Sequence, residues 1–218
     1  MIVETVVVGA LETNCYVLGS ERTRQAIVID PGDDPSEILD VLRRHRLSLE
    51  RLVVTHAHFD HLLGARPLQE ATGAPFYLPA ADRPLLGAMQ RTAIAWTGRD
   101  PGEPPEVRGE IVPGAALFVG DLSLEVRETP GHSPGGVIFV DHAGRRAFTG
   151  DTVFAGSIGR ADLPGGNLEI LLESIRSQIL SLPDDYSLLP GHGPSSTVME
   201  ERVSNPFLMT PSSLDHWQ

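Results

Sequence analysis

The stretch Thr55-His56-Ala57-His58-Phe59-Asp60-His61 places four side chains of the kind that bind metal ions within six residues. It directly follows Leu52-Val53-Val54, a short apolar run typical of a buried strand. The first two histidines and the aspartate stand at every second position, so in extended backbone their side chains share one side, whereas the last histidine leaves it. Imidazole and carboxylate groups are ligands that zinc and similar cations accept. This segment therefore predicts a metal site at the end of a strand.

Three further segments each place one ligand-type side chain beside glycine, directly after an apolar run. They are Thr129-Pro130-Gly131-His132-Ser133, Phe148-Thr149-Gly150-Asp151-Thr152 and Leu189-Pro190-Gly191-His192-Gly193. Glycine lets the backbone turn tightly and approach an ion closely. Loops that follow strands converge on one edge of a sheet, where sites are commonly built. We therefore expect these three side chains to join the histidine cluster in one site.

Predicted strands and helices alternate along the chain in two groups. The segment 80–114, which has no single periodic pattern, separates them. Short apolar runs bounded by turn residues predict strands, and apolar residues three or four positions apart predict helices. The predicted strands cover residues 5–9, 15–18, 26–30, 52–54, 76–78, 117–119, 122–127, 137–141, 145–149 and 186–189. The predicted helices cover residues 35–47, 67–72, 168–180 and 195–203. This alternation favours a layered α/β protein over a barrel or a bundle.

The segment 80–114 predicts a helix followed by an irregular surface loop, because residues 98–105 are rich in Gly and Pro. With 218 residues and 41% hydrophobic content, the chain is long enough for one substantial core. We expect a single domain over residues 1–205 and a C-terminal tail over residues 206–218.

Composition excludes several classes of function. The net charge of -12 and a pI near 5.0 disfavour binding to nucleic acid, which needs clustered basic residues. All 17 basic residues are arginine, so a mechanism that uses a Schiff-base or P-loop lysine is excluded. Cys15 is the single cysteine and lies in a predicted strand, so it predicts a buried structural thiol rather than a nucleophile.

The same features indicate where the protein works. A single cysteine permits no intrachain disulfide, which favours a reducing, cytoplasmic location. The N-terminal stretch Met1-Ile2-Val3-Glu4 does not have the pattern of a secretory signal, and no apolar run reaches the length that spans a membrane. His45, His142 and His216 stand alone in a helix end, a turn and the tail, and we assign them no function.

Together these elements resemble the metallo-β-lactamase superfamily, whose HxHxDH motif is followed by a histidine, an aspartate and a histidine in the same order. The resemblance implies a four-layered αβ/βα sandwich of the α/β class with two divalent metal ions, which we expect to be zinc, with iron and manganese as alternatives. Asp60 and Asp151 are also expected to act in catalysis. The implied ligands are His56, His58 and His132 for one ion and Asp60, His61 and His192 for the other, with Asp151 bridging.

The turn Asp30-Pro31-Gly32 resembles an early turn of the same family. There, the position of Asp30 contacts a ligating imidazole. A simple Asp-Pro-Gly turn without a role at the metal centre is the alternative.

A pair of cations that share a hydroxide lowers the pKa of the bound water towards ~7 and supplies a nucleophile without a basic side chain. The same charge stabilises the oxyanion that forms when an ester, thioester, lactam or lactone is attacked. A thiolate is the leaving group that needs least help, since the pKa of a thiol is about 8.5. The metal site alone does not select among these substrates.

The segment 154–166, which contains Ser157-Ile158-Gly159-Arg160, resembles the short bacterial glyoxalase II-like proteins, as do residues 190–197 and Asn205-Pro206-Phe207. The resemblance implies that Arg160 contacts the glutathione part of a thioester, because a guanidinium group suits a carboxylate. A surface ion pair between Arg160 and Asp162 is the alternative. Larger glyoxalase II enzymes complete their glutathione site with a C-terminal helical domain, whereas this chain ends soon after His192, and the acyl group and thiol carrier stay open.

We therefore expect a thioester hydrolase that converts S-lactoylglutathione to lactate and glutathione. The expected partner is a small-molecule thioester, with no nucleic acid and no membrane, and the chain is expected to be a monomer or a small homo-oligomer. The main alternative is a persulfide dioxygenase of the same superfamily, which uses one iron ion. A flavodiiron oxygen reductase, a nuclease and a non-catalytic metal-binding protein are further alternatives that the sequence favours less.

Overall fold

The computed structural model describes residues 1–209, and residues 210–218, including His216, lie outside the described part. The strands are β1 Ile2–Val8, β2 Thr13–Gly19, β3 Gln25–Ile29, β4 Ser48–Val53, β5 Phe76–Pro79, β6 Val107–Ile111, β7 Ala116–Val119, β8 Leu122–Glu128, β9 Val137–Asp141, β10 Arg146–Gly150, β11 Val153–Phe154, β12 Ser157–Ile158, β13 Ser187–Pro190 and β14 Ser196–Thr197. The helices are α1 Pro35–Arg44, α2 Ala65–Thr72, α3 Arg83–Leu86, α4 Met89–Thr97, α5 Leu168–Ser174 and α6 Val198–Ser204.

Two six-stranded sheets form the centre of the molecule. The first has the strand order β1-β2-β3-β4-β5-β6, and the second has the order β14-β13-β10-β9-β8-β7. Residues such as Ile29, Val53, Phe139 and Phe148 form a buried apolar layer between the two sheets. This layer joins the two halves of the chain into one structure.

Helices cover the outer face of each sheet. Residues of α1, α2 and α4, such as Ile38 and Leu68, pack on the first sheet. Leu171 of α5 and the π-helical turn Ile175–Ile179 pack on the second sheet. The result is the expected four-layered αβ/βα sandwich, so the fold class predicted from the sequence is confirmed.

The strand register places several loops at one edge of the sandwich. Strands β3 and β4 are parallel, with Ile29 opposite Val53, and β10 and β13 are parallel, with Gly150 near Pro190. The carboxyl ends of parallel strands lie on the same edge of their sheet. A short bridge between Thr13 and His192 and the bond from Val137 N to Thr55 O connect the two sheets there.

The structure corrects the sequence prediction in several elements. The segment 80–114 contains a 3-10 turn, helices α3 and α4 and the edge strand β6, rather than one helix and an irregular loop. The predicted helix 168–180 changes to π-helical geometry at Ile175, and the predicted last helix begins at Val198, after the short strand β14. The β11–β12 hairpin was not predicted at all.

The C-terminal tail is described only as far as residue 209. Leu208 is buried and packs in the core beside the second sheet, so the described part of this segment lies against the domain. No helix within residues 1–209 is long and apolar enough to cross a lipid bilayer.

Candidate metal centre

The seven side chains predicted as ligands lie together where the loops converge. Three groups have ligand atoms within 4.8 Å of one another. The groups are His56, His58 and His132; Asp60, His61 and His192; and His56, His61 and Asp151. The first two groups are the ligand sets that the family resemblance implied for two ions, and Asp151 lies between them.

The first group is a compact arrangement of three imidazole rings. His132 Nε2 lies 2.9 Å from His58 Nδ1 and 3.2 Å from His56 Nε2. His132 Nδ1 donates a hydrogen bond to the backbone carbonyl of Arg160 at 2.7 Å. A carbonyl can only accept, so this bond keeps the proton on Nδ1 and leaves Nε2 as a ligand.

The second group combines a carboxylate with two imidazoles. Asp60 Oδ2 lies 3.2 Å from His192 Nε2 and 3.6 Å from His61 Nε2. His192 Nδ1 donates to the carbonyl of Leu11 at 3.0 Å, in the turn between β1 and β2. That turn therefore orients a ligand that comes from the far end of the chain.

Asp151 faces both groups with its carboxylate. Its Oδ1 lies 3.3 Å from His61 Nε2, while its Oδ2 lies 3.6 Å from His132 Nε2 and 3.7 Å from His192 Nε2. The backbone of the next loop passes close by, because a Cβ on Gly191 would come within 2.2 Å of Asp151 Oδ1. Glycine is therefore required at position 191 for this approach.

The first ligand segment is only partly extended, which corrects the predicted alternation. His58 has extended backbone, but Phe59, Asp60 and His61 form a 3-10 turn. Hydrogen bonds from His61 N to His58 O and from Leu62 N to Phe59 O close this turn. The turn brings Asp60 and His61 together in the second group, which a continuous strand would not do.

Asp30 lies against this site, as one of the two interpretations of its turn predicted. Its carboxylate accepts hydrogen bonds from Thr55 N at 2.6 Å and Thr55 Oγ1 at 2.8 Å. Its Oδ2 also lies 3.1 Å from His61 Nδ1. Asp30 thus connects the loop after β3 to a ligand on the loop after β4.

Burial keeps part of the site neutral. Burial lowers the pKa of His56, and the charges of His61 and His58 lower it further. Burial also lowers the pKa of His58 to about 4, and His132 acts in the same direction. These imidazoles are neutral near pH 7, which is the form that binds a metal ion.

The carboxylates remain ionised in spite of burial. Burial raises the pKa of Asp151, but the charge of His61 and its other imidazole neighbours outweighs burial and lowers that pKa below its usual value. The pKa of Asp60 is lowered in the same way. Burial lowers the pKa of His61, but Asp151, Asp60 and Asp30 outweigh burial and raise it well above its usual value. The carboxylates of Asp60 and Asp151 therefore stay ionised beside a protonated His61 in the metal-free protein.

These features fit divalent cations. Both ring nitrogens of His61 and Oδ1 of Asp151 are buried without a hydrogen-bond partner, although buried polar atoms are normally satisfied. In the first group, ring nitrogens of His56 and His58 both lie close to His132 Nε2, so three imidazole nitrogens converge on one point. A cation at the second group would satisfy His61 Nε2 and Asp151 Oδ1, while His61 Nδ1 faces Asp30. The histidine and aspartate donors are those that divalent transition metals accept.

Arg160 lies beside the first group, but its side chain points to a neighbour in sequence. The guanidinium group makes two hydrogen bonds with Asp162, at 2.9 and 3.0 Å, and more than half of the side chain is exposed. The ion pair that was the alternative interpretation is thus present. The backbone carbonyl of Arg160, rather than its side chain, touches a ligand.

Asp82 is a buried residue that the sequence interpretation missed. Its carboxylate accepts hydrogen bonds from Ala57 N at 2.9 Å, Ser133 Oγ at 2.8 Å and Gly135 N at 2.6 Å. It therefore ties the loop that carries His58 to the loop that carries His132. In the sequence Ala80-Ala81-Asp82-Arg83-Pro84, an aspartate before Arg-Pro is typical of the start of a helix. No local pattern indicates that its carboxylate is buried and binds two distant loops.

Asn14 has a comparable role for the loop that carries His192. Its side-chain amide donates to the carbonyls of Pro190 at 3.0 Å and Gly193 at 2.9 Å, and Tyr16 Oη also donates to Pro190. The sequence interpretation assigned neither residue a contact. Their partners lie far away in sequence, so no local pattern indicates these hydrogen bonds.

The remaining candidates have structural surroundings. His45 contacts Glu4, and His142 contacts Glu125 and the hydroxyl of Tyr186, so neither belongs to the metal centre. Cys15 is buried, and burial raises the pKa of its thiol. A neutral, inaccessible thiol agrees with the structural role expected for it.

Comparison with known proteins extends this geometry to a family. The family model of the metallo-beta-lactamase superfamily matches residues 8–192. The protein named hydroxyacylglutathione hydrolase GloC from Haemophilus influenzae is 33% identical over 213 residues, covering 97% of this chain and 100% of that protein.

Two crystal structures are similar over nearly the whole fold. BLEG-1 B3 metallo-beta-lactamase has a TM-score of 0.89 at 33% identity, covering 96% of this chain and 100% of that chain. TTHA1623 in a di-iron-bound form has a TM-score of 0.86 at 40% identity, covering 94% of this chain and 100% of that chain.

The family match spans most of the chain and includes all seven ligand positions. The name of the relative and the histidine and aspartate cluster agree in supporting a metal-dependent hydrolase. The chain belongs to the metallo-β-lactamase superfamily.

Proposed function

We propose that the chain is a binuclear metal-dependent thioester hydrolase of the glyoxalase II type, which converts S-lactoylglutathione and water to lactate and glutathione. The observation that carries the proposal is the position of Asp151, whose carboxylate oxygens face both ligand groups. A carboxylate shared between two ligand groups suits a pair of ions. The similarity to a relative named hydroxyacylglutathione hydrolase supports the substrate class.

The first ion would be held by His56, His58 and His132 and the second by Asp60, His61 and His192, with Asp151 shared. We propose zinc, with iron as the alternative because the similar TTHA1623 has a di-iron-bound form. When bound, two such ions polarise the substrate carbonyl and bring the pKa of a water molecule towards ~7.

The chain's own residues prepare the site for this chemistry. The lowered pKa of His56 and His58 keeps both rings neutral, so each has one unprotonated nitrogen for a metal ion, and the carbonyls of Arg160 and Leu11 fix the Nδ1 protons of two other ligands. We assign Asp60 and Asp151 a catalytic role because their ionised oxygens can accept a hydrogen bond from the attacking water and orient it.

The leaving group explains why no further acid is required. Water adds to the acyl carbon, the carbon–sulfur bond breaks, and the sulfur leaves as a thiolate that later takes a proton from solvent. Because the pKa of a thiol is about 8.5, the thiolate leaves more easily than an alkoxide or an amide ion. A thioester therefore needs less from the protein than an ester or a lactam does.

The guanidinium of Arg160 is the group we propose to contact a carboxylate of the thiol carrier. The side chain is exposed, and the backbone carbonyl of the same residue contacts His132, so a substrate carboxylate near the centre could replace Asp162 as its partner. The proposed partner of the chain is thus a small anionic thioester. The net charge of -12 disfavours nucleic acid, and a monomer or small homo-oligomer is our working proposal.

The direct test is thiol release from S-lactoylglutathione by protein reconstituted with zinc. We expect turnover that chelation abolishes and added zinc restores. Asp60→Ala should lose this turnover, whereas the control Asp40→Ala, at an exposed site on α1, should retain it. Absence of thiol release above the buffer rate would remove the proposal. One iron ion per chain, with oxygen consumption on glutathione persulfide, would replace it with the dioxygenase alternative.

A further inference from the structure

A cavity of about 250 Å³ lies beside the metal centre, and neither the ligand set nor the proposed mechanism uses it. Asp60 and Leu11 line this cavity. Asp60 is a ligand of the second group, and the Leu11 carbonyl orients His192 of the same group. Arg160, by contrast, lies beside His132 of the first group. The cavity and Arg160 therefore flank different parts of the centre.

One wall of the cavity is apolar. Leu11, Phe59 and Leu63 line it, together with Val8 from the end of β1. The ring of Trp96 lies 6.4 Å from that of Phe59, and 59% of the Trp96 residue surface is exposed. An exposed tryptophan beside this apolar wall provides a surface that a hydrocarbon chain can cover.

The polar rim of the cavity carries more negative than positive charge. Asp33 and Asp100 lie at the rim with Arg99, whose guanidinium is 3.4 Å from Asp33. Arg99 is therefore already paired, and a second carboxylate, Asp100, remains nearby. This charge disfavours a ligand group that ends in a carboxylate.

We propose that the cavity is the acyl subsite of the enzyme and that it accepts neutral apolar acyl chains longer than lactoyl. This inference rests on the proposed thioester hydrolysis. If the thiol carrier lies towards Arg160, the acyl group extends towards Asp60 and the cavity. The volume is just below the ~300 Å³ at which pockets for whole small molecules begin, so it suits a short chain rather than the carrier.

Hydrolysis rates across a series of acyl groups on glutathione test this assignment. We expect kcat/KM to rise by up to about fourfold for each added methylene group from acetyl to hexanoyl, as burial of a methylene in an apolar site predicts. Succinyl glutathione should fall at least tenfold below butanoyl glutathione, because its free carboxylate meets the acidic rim.

A variant that fills the cavity tests whether the preference for long acyl chains depends on this space. Leu63→Trp should remove the preference for hexanoyl over acetyl, whereas Met199→Trp, at an exposed position on α6, should leave it unchanged. Equal kcat/KM for all chain lengths in an active wild-type enzyme would overturn the acyl subsite alone. Failure to hydrolyse any of these thioesters would instead overturn the proposed function.

Fluorescence supplies a measurement that does not depend on turnover. The chain has two tryptophans, so Trp217→Phe leaves Trp96 as the single tryptophan, which excitation at the red edge of its absorption selects over tyrosine. S-(6-bromohexyl)glutathione is a thioether that cannot be hydrolysed, and its bromine should quench Trp96 emission, whereas S-hexylglutathione should not. Competitive inhibition by the brominated compound without any quenching would place the chain elsewhere and contradict the proposal.

Discussion

Burial and neighbouring charge act in opposite directions on the side chains of the metal centre. Burial dominates at His56 and His58, whose pKa values are lowered, while charge dominates at Asp151 and His61. The site consequently presents neutral imidazoles at His56 and His58 and a protonated His61 among ionised carboxylates. Near pH 7 a metal ion therefore displaces no proton from His56 or His58 but displaces the extra proton of His61.

His58 gives the metal-free protein a specific pH dependence. Its pKa is lowered from the usual 6.5 to about 4, first by burial and then by His132. Between these values the unfolded chain binds a proton that the folded chain does not, so stability is lost as the pH falls from 6.5 towards 4. In chelator-treated protein, His58→Asn should reduce the slope of unfolding free energy against pH by up to about one proton. Identical slopes in urea titrations would contradict this assignment.

Asp82→Asn tests whether the buried carboxylate positions the ligand loops. An amide keeps the shape but turns one acceptor into a donor, which faces the donors Ala57 N, Ser133 Oγ or Gly135 N. We expect zinc affinity to fall about 10- to 100-fold, the range typical when a partner of a ligand loop is lost.

Competition with a chelating indicator measures this change in zinc affinity. Asp184→Asn, at an exposed ion pair with Arg202, is the matched control. Unchanged zinc affinity in Asp82→Asn would show that Asp82 acts on folding alone.

Arg160→Ala tests the proposed contact with the thiol carrier. If the guanidinium binds a substrate carboxylate, KM for S-lactoylglutathione should rise about tenfold with little change in kcat, because uniform binding is lost. Arg22→Ala removes a comparable exposed ion pair with Asp121 and should change neither constant. Unchanged KM in Arg160→Ala would mean that its pair with Asp162 is structural only.

The roles of some single residues could be predicted from the sequence, and those of others could not. The seven ligands were accessible because metal ligands carry distinctive side chains and lie beside strand ends and glycines. Asp82 and Asn14 were not, because their partners lie far away in sequence. These are the Ser133 hydroxyl and Gly135 N for Asp82, and the carbonyls of Pro190 and Gly193 for Asn14. The Arg160 side chain shows the opposite case, in which a partner two residues away was weighed correctly as an alternative.

At the scale of elements, the loop that carries His132 is held against α5 by a close backbone contact. Gly131 has φ +128°, and a Cβ there would lie 2.3 Å from Leu171 N and 2.4 Å from Leu171 Cα. Asn167 N also donates to Gly131 O at 2.7 Å. The start of α5 thus fixes the position of the loop that carries His132.

Gly131→Ala should therefore destabilise the protein by more than about 2 kcal/mol and weaken zinc binding, because backbone strain adds to overpacking. Gly73→Ala separates these causes, since Gly73 has φ +75° but open space around it. We expect Gly73→Ala to cost about 1 kcal/mol with normal zinc affinity. Urea unfolding measures the stability of each variant, and competition with a chelating indicator measures its zinc affinity. Equal losses of stability and zinc affinity in Gly131→Ala and Gly73→Ala would show that the contact with Leu171 has no effect of its own.

Elements with strong apolar patterns were predictable, and weak ones were not. The buried strands β3 and β9 and the amphipathic helix α1 agree with their predicted ranges to within a few residues. Strand β6 has the sequence Val107-Arg108-Gly109-Glu110-Ile111 and lies at a sheet edge. An edge strand needs little apolar surface, so its pattern resembles that of a loop.

At the scale of the whole molecule, the metal centre depends on contacts that join the two sheets. The ligands before residue 62 come from the first sheet, and His132, Asp151 and His192 come from the second. Periodicity alone predicted only a layered α/β protein. The four-layered arrangement followed from the order of the ligands and the family resemblance, because strand pairing between distant segments has no local signature.

The most direct test of the account is the number of metal ions per chain after reconstitution with zinc and removal of unbound metal, measured by mass spectrometry of the elements. The account predicts about two ions in the wild type and about one in His192→Ala, which removes a ligand of the second group only. One ion per chain in both proteins would contradict a binuclear centre.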